Sequence, residues 1–183
     1  MTITLEPFTS TDIDVLLSWI PSAAFLLQWA GSTYTYPLDV SQISRYLQTA
    51  QGEQPPNLMF KAVAQESGRY VGHCELITID WRNRSARMSR ILVGPQELRG
   101  QGLGGQIVRA LLQIAFETLH LHRVDLGVFD FNQSAIACYK RVGLQTEGIM
   151  RESHRYENEH WNLCIMAMLE HEWRERSQEK PGF

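Results

Sequence analysis

Residues 98–116 read LRGQGLGGQIVRALLQIAF, and the fold turns on how this stretch is read. Ile107, Ala110, Leu111, Ile114 and Ala115 recur at helical spacing, so a helix is predicted from about Gly102 to Leu119. Glycines stand at 100, 102, 104 and 105, where that helix begins. Each glycine in a helical position costs roughly 0.5–1 kcal/mol relative to alanine, so the cluster is unfavourable unless bare backbone is needed there. The first N–H groups of a helix lack internal partners and lie at the positive end of its dipole. Glycines let an anion, above all a phosphate, approach them closely.

Upstream of this stretch, LMFKAVAQ (58–65), RYVGHCELITID (69–80) and ARMSRILV (86–93) read as strands, and the short connections ESG and WRNRS predict an antiparallel meander. Downstream, HRVDLGVF (122–129) reads as a strand and NQSAIACYKRV (132–142) as a short helix capped by Asn132. LQTEGIMRE (144–152) and HWNLCIMAMLE (160–170) add two strands. At the front, TITLEPF alternates like a strand, Thr9, Ser10 and Thr11 offer N-caps for a helix through DIDVLLSWI, and LDVSQISRYLQTA (38–50) reads as a second helix. The order predicts an α+β fold, a mixed, mainly antiparallel sheet of about six or seven strands flanked by helices, with one strand–helix–strand crossover over the glycine stretch. Residues 1–173 are read as a single domain and 174–183 as a frayed tail.

The 183 residues suffice for one substantial core, and 44% hydrophobic with 20% charged residues fits a folded globular chain. A net charge of −3 gives no electrostatic footprint for nucleic acid. MTITLEPFTS has neither a basic n-region nor an apolar h-region, and no apolar run approaches membrane-spanning length, so a cytoplasmic protein without membrane partner is expected. Cys74, Cys138 and Cys164 are widely spaced in apolar segments and read as reduced packing residues. No metal site is evident: His154 and His160, and His120 and His122, lack partners at ligand spacing.

Gly100, Gly102 and Gly105 also satisfy G-x-G-x-x-G, with Asp125 about 20 residues on, as a dinucleotide-binding loop would have it. Against this, GPQEL separates the glycines from the preceding strand, and Asp125 falls inside a strand rather than at its carboxyl end. The Gly-Lys-Ser/Thr of a P-loop is absent. A glycine-rich turn into an ordinary core helix is the simplest alternative.

Arg99, Gly102 and Gly104 fit the pattern Arg/Gln-x-x-Gly-x-Gly/Ala, and NQSAIACYKRVGL places Asn132, Tyr139 and Gly143 in an Asn-helix-Tyr-x-x-x-Gly motif, with Leu144 where Phe is usual. In these two motifs the chain resembles the GCN5-related N-acetyltransferases (GNAT). The resemblance spans about Phe60 to Glu170, and GLQTEGIMRE followed by a Trp- and Leu-rich last strand looks most like the branch that includes ribosomal-protein-alanine N-acetyltransferases. The resemblance implies transfer of an acetyl group from acetyl-CoA, as co-substrate, to a primary amine, either a protein N-terminus or a small molecule. A catalytically weak acyl-CoA sensor remains the alternative, because the strand before the loop offers Arg87 and Arg90 where many relatives carry a carboxylate. Relatives in this branch are often homodimers; the residues themselves show no interface.

Residue by residue, the resemblance implies that Arg99, Gly100, Gln101, Gly102, Leu103 and Gly104 hold the cofactor pyrophosphate. The backbone of Ile91, Leu92 and Val93, on a strand that splays from its neighbour at a bulge, would pair with the pantetheine arm. Asn132 joins the cofactor site besides capping its helix. Tyr139 is the general acid for the departing thiolate. Glu75 is the candidate general base, with His73 beside it on the same strand face. Phe25, Trp29, Tyr34 and Tyr36 lie in the region that lines the acceptor site in relatives; as residues alone they read equally as core.

Overall fold

The computed structural model describes residues 1–179. The chain order is β1 (Ile3–Pro7), α1 (Ile13–Leu17), α2 (Ala23–Ala30), α3 (Val40–Leu47), β2 (Leu58–Ala64), β3 (Tyr70–Asp80) and β4 (Ser85–Val93). Then follow α4 (Leu103–Gln113), β5 (Arg123–Phe129), α5 (Gln133–Val142), β6 (Gln145–Tyr156), β7 (Glu159–Leu169) and α6 (Glu170–Glu179). The strands form one seven-stranded sheet in the order β1-β2-β3-β4-β5-β7-β6. β4 and β5 are parallel, joined by the crossover through α4, and the other neighbours are antiparallel. The predicted meander and crossover are therefore present.

Alternation along the strands divides the apolar residues between two faces. Ile107, Leu111 and Leu112 of α4 pack with Cys74, Leu76, Ala86, Met88 and Val124 in the larger core, which also takes Ile136 of α5 and Trp173 of α6. On the other face Ile13, Leu16, Leu26 and Ile43 of α1, α2 and α3 enclose a smaller core with Phe8, Met59 and Leu92. The glycine-led helix and the N-terminal helices thus clamp the sheet from opposite sides.

Several local expectations need correction. The front helix is short, a 3₁₀ turn (Ser10–Asp12) running into α1, with Asp12 Oδ2 accepting from the Thr9 amide at 2.8 Å. α2, unmarked by any clear apolar stripe, starts at Ser22, whose hydroxyl accepts from the Phe25 amide. The predicted helix to Leu119 ends as a π-helical turn (Ile114–Thr118). The tail read as frayed from 174 is helical to Glu179, anchored by Trp173 in the core and by its indole bond to Glu117; residues 180–183 lie outside the described residues. Among the described residues no helix is long and apolar enough to cross a membrane.

Candidate active site

The parallel pair β4/β5 is joined only over Ser85–Arg87 and Arg123–Asp125, so the strands part beyond Arg87 and leave the rest of β4 without a strand partner on that side. A cleft opens there. The loop into α4 begins just past the end of β4.

That loop holds a run of unused donors. The amides of Gly105 and Gln106 both bond the Gly102 carbonyl, at 3.1 and 3.3 Å, whereas those of residues 100 to 104 make no hydrogen bond among the described residues. Gly100 and Gly102 adopt φ of +76° and +83°, the left-handed region that glycine enters without strain. Leu103 anchors the helix start by burying its side chain in the larger core. Consecutive free amides at a helix N-terminus form a cradle suited to the oxygens of a diphosphate. Two neighbours are committed elsewhere: Arg99 donates to the carbonyls of Val93 and Gly94, each at 3.0 Å, and Gln101 to the Glu97 carbonyl at 2.6 Å. Arg99 therefore ties the loop to the end of β4.

The bulge lies at Arg90. His73 faces Leu92 but Glu75 faces Ser89, so β4 carries one extra residue, and Arg90 sits at φ +51°. Ala86 and Met88 face the larger core; past the extra residue the faces exchange. Leu92 turns into the smaller core while Ile91 and Val93 pack toward the larger one. The same slip drives the Arg90 side chain inward beneath α2 and α3.

Arg90 meets Glu75 there. Its NH1 lies 2.5 Å from Glu75 Oε2 and 2.9 Å from the Tyr46 hydroxyl, and its NH2 lies 2.7 Å from Thr33 Oγ1. Glu75 Oε1 bonds His73 Nε2 at 2.9 Å, and His73 Nδ1 meets the Tyr70 hydroxyl at 3.2 Å. Glu75 and His73 expose no surface. Burial pushes the Glu75 carboxyl up, but the Arg90 guanidinium and the His73 hydrogen bond outweigh it and hold the group below its ordinary range. The candidate general base thus has both oxygens engaged and no exposed surface, which favours a positioning role over direct proton transfer. Thr33, Tyr46 and Tyr70 are the members of this network that sequence reading misses, along with the pairing of Arg90 to Glu75. Nothing in the local pattern of β4, which also carries Ser85, Arg87 and Ser89, marks Arg90 as the buried one.

Tyr139 lies on α5 with its ring against the larger core, and its hydroxyl makes no hydrogen bond among the described residues. Burial pushes the hydroxyl well above the ordinary tyrosine value, so it stays protonated at neutral pH. Asn132 caps α5, its Oδ1 accepting from the Ala135 amide at 3.3 Å, which leaves the side-chain amide N–H groups available. Cys138 brings α5 against the glycine turn, its Sγ standing 3.7 Å from where a Cβ on Gly105 would lie. Asp125, the would-be ribose ligand of a dinucleotide site, is bonded to Arg87 Nε at 2.6 Å. Of the four aromatics in the acceptor region, Phe25, Trp29 and Tyr34 pack on the smaller core and Tyr36 is exposed.

A parallel strand pair parted at its end, a run of free amides at its mouth and a tyrosine on the following helix are the arrangement expected of an acyl-CoA-dependent transferase. The family model described as Acetyltransferase (GNAT) domain matches residues 2–145, and the chain belongs to that family. It is 22% identical over 169 residues to spermidine N(1)-acetyltransferase of Escherichia coli K12, covering 92% of this chain and 87% of the relative. It is 29% identical over 106 residues to the putative ribosomal N-acetyltransferase YdaF of Bacillus subtilis, covering 58% of this chain and 57% of the relative. The structure of spermidine N-acetyltransferase from Vibrio cholerae in complex with CoA and spermine superposes with a TM-score of 0.82 at 18% identity, over 94% of this chain and 98% of that one. The chain is accordingly a GNAT acetyltransferase, and acetyl-CoA is the co-substrate of that class.

Proposed function

We propose that this acetyltransferase transfers the acetyl group directly from acetyl-CoA to a primary amine of a small molecule. The observation that carries the reading is the run of free amides at residues 100 to 104 beside the parted end of β4. When bound, acetyl-CoA supplies an activated acyl carbon with a thiol leaving group. The amides of residues 100 to 104 hold the diphosphate, and the unpaired edge of β4 at Ile91, Leu92 and Val93 aligns the pantetheine arm. Asn132 contributes its free side-chain N–H groups. Tyr139 holds on its hydroxyl the proton that the departing sulfur takes.

Glu75 acts here as a positioning residue. Together with Arg90 it holds the bulge in β4, and the proton lost by the amine passes to solvent water rather than to this carboxylate. The small-molecule reading over a protein N-terminus follows the relatives matched across most of the chain, whose named substrates are spermidine and aminoglycosides.

A thiol-release assay with acetyl-CoA and a panel of primary amines tests the reading. Release dependent on an amine, with a mass gain of one acetyl group on that amine, is expected. Tight acetyl-CoA binding without release on any amine would favour a cofactor sensor instead.

A further inference from the structure

We infer that Trp29 is a positioning residue for acyl transfer: its indole N–H holds the peptide between Arg90 and Ile91, and so sets the direction of the β4 backbone that receives the acyl group. This deepens the acetyltransferase reading above and rests on it.

Leu92 faces His73 and Ser89 faces Glu75, so Arg90 and Ile91 together oppose Cys74 and neither has a register partner on β3; the pairing with β5 ends at Arg87. A carbonyl at such a place needs a donor from outside the ladder. The Arg90 carbonyl takes one from Trp29 Nε1 at 2.9 Å. Arg90 itself sits at φ +51°, which a residue with a side chain keeps only where its surroundings hold it. A peptide unit is planar and trans, so drawing this carbonyl toward α2 turns the Ile91 amide away from the indole. With the diphosphate at residues 100 to 104 and the pantetheine arm running back along Val93, Leu92 and Ile91, the thioester end falls at Ile91 and the bulge. An N–H aimed at the thioester oxygen stabilises the negative charge that grows there as the amine attacks.

α2 meets the departing end of β4 at more than this point. Phe25, one helical turn before Trp29, has the Arg99 guanidinium 5.9 Å from its ring centre, and Arg99 in turn holds the carbonyls of Val93 and Gly94. The helix therefore touches the run from Arg90 to Arg99 near both its ends, which is the run assigned to the cofactor arm. Its seating does not depend on the indole N–H. Ser22 caps it, Leu26 and Ala30 are buried in the smaller core, and the turn that follows is bonded to Arg90 NH2 through Thr33 Oγ1 at 2.7 Å. Removing the N–H alone frees the Arg90 carbonyl and leaves α2 in place, so a positioning role separates from a structural one.

The test uses the full chain with Trp29→Phe, and with Trp29 replaced by benzothienylalanine, which keeps the shape of the indole but carries sulfur in place of the N–H. Infrared difference spectra of bound, carbonyl-labelled acetyl-CoA read the thioester stretch without any amine present. In wild type this band should lie below that of the free thioester, and in both variants it should move back toward it. Turnover on the best used of spermidine, kanamycin and tryptamine should fall by about tenfold, with acetyl-CoA affinity and melting temperature near wild type. If none of the three amines is used, the band alone decides. A band or a turnover unchanged in the sulfur variant, or a loss of acetyl-CoA affinity or melting temperature there that matches the loss of turnover, overturns the inference. Failure of acetyl-CoA to bind wild type at all would instead bring down the acetyltransferase reading beneath it.

Discussion

Glu75 and Arg90 sit on neighbouring antiparallel strands and close a buried ion pair at 2.5 Å because β4 carries one residue more than β3 between the two register points. One inserted residue thereby exchanges the faces of β4, seats a cation under the N-terminal helices and accompanies the parting of β4 from β5. The pair belongs to the scaffold of the cleft more than to its chemistry.

Removing one partner should expose that role. Arg90→Ala leaves a carboxylate buried and unpaired and is expected to lower stability by about 3–5 kcal/mol, measured by urea unfolding. Glu75→Gln with Arg90→Met should recover a large part of the loss, since the charge is then absent from both sides. A single Arg90→Ala variant as stable as wild type would show that the pair does not hold the bulge.

The pH dependence follows from the same network. Glu75 and Asp12 both titrate below their ordinary values of 4.5 and 3.8: burial raises each, but Arg90 and His73 in one case, and Thr9 and Lys61 in the other, outweigh it. Between the lowered folded value and the ordinary unfolded value the unfolded chain binds more protons, so stability rises with pH in that window. The contribution is complete above about pH 4.5 and is lost as pH falls through the folded values. Thermal scans across acid pH should show this decline, and it should be shallower in Glu75→Gln.

Tyr139→Phe removes the hydroxyl and keeps the ring that packs on the core. Turnover should fall by at least about tenfold with acetyl-CoA affinity and melting temperature close to wild type. Wild-type turnover in this variant would take Tyr139 out of the reaction.

Gly94 follows β4 directly, and a Cβ placed there would stand 2.1 Å from the Trp19 ring. Gly94→Ala should therefore displace Trp19 and cost roughly 1–3 kcal/mol, seen as a lower urea midpoint.

Legibility from sequence followed locality. The helix behind the glycines, the meander and the capped α5 are written in short-range periodicity and cap residues such as Asn132, and these the chain displays openly. The bulge is not: no glycine or proline marks it, and Arg90 takes a left-handed conformation because Glu75, Tyr46 and Thr33, distant in sequence, hold its side chain. Glu75 looked available for catalysis for the same reason, since a strand residue's burial depends on what packs above it. α2 escaped notice because its apolar residues form no clear stripe: Trp29 reaches His73 of β3 and the Arg90 carbonyl of β4, while Phe25 lies under the Arg99 guanidinium. The ring cluster of Phe129, Phe131 and Trp161 joins two segments about thirty residues apart, which the β5/β7 pairing brings together.

Titration calorimetry of acetyl-CoA against the wild-type chain and Gly102→Ala bears most directly on the amide cradle. At a φ of +83° alanine is strained and the run of amides is displaced. Wild type should bind with measurable heat and Gly102→Ala at least about tenfold more weakly, with its melting temperature largely kept. Equal affinity in the two proteins, or no heat with wild type, would contradict the placement of the diphosphate at residues 100 to 104.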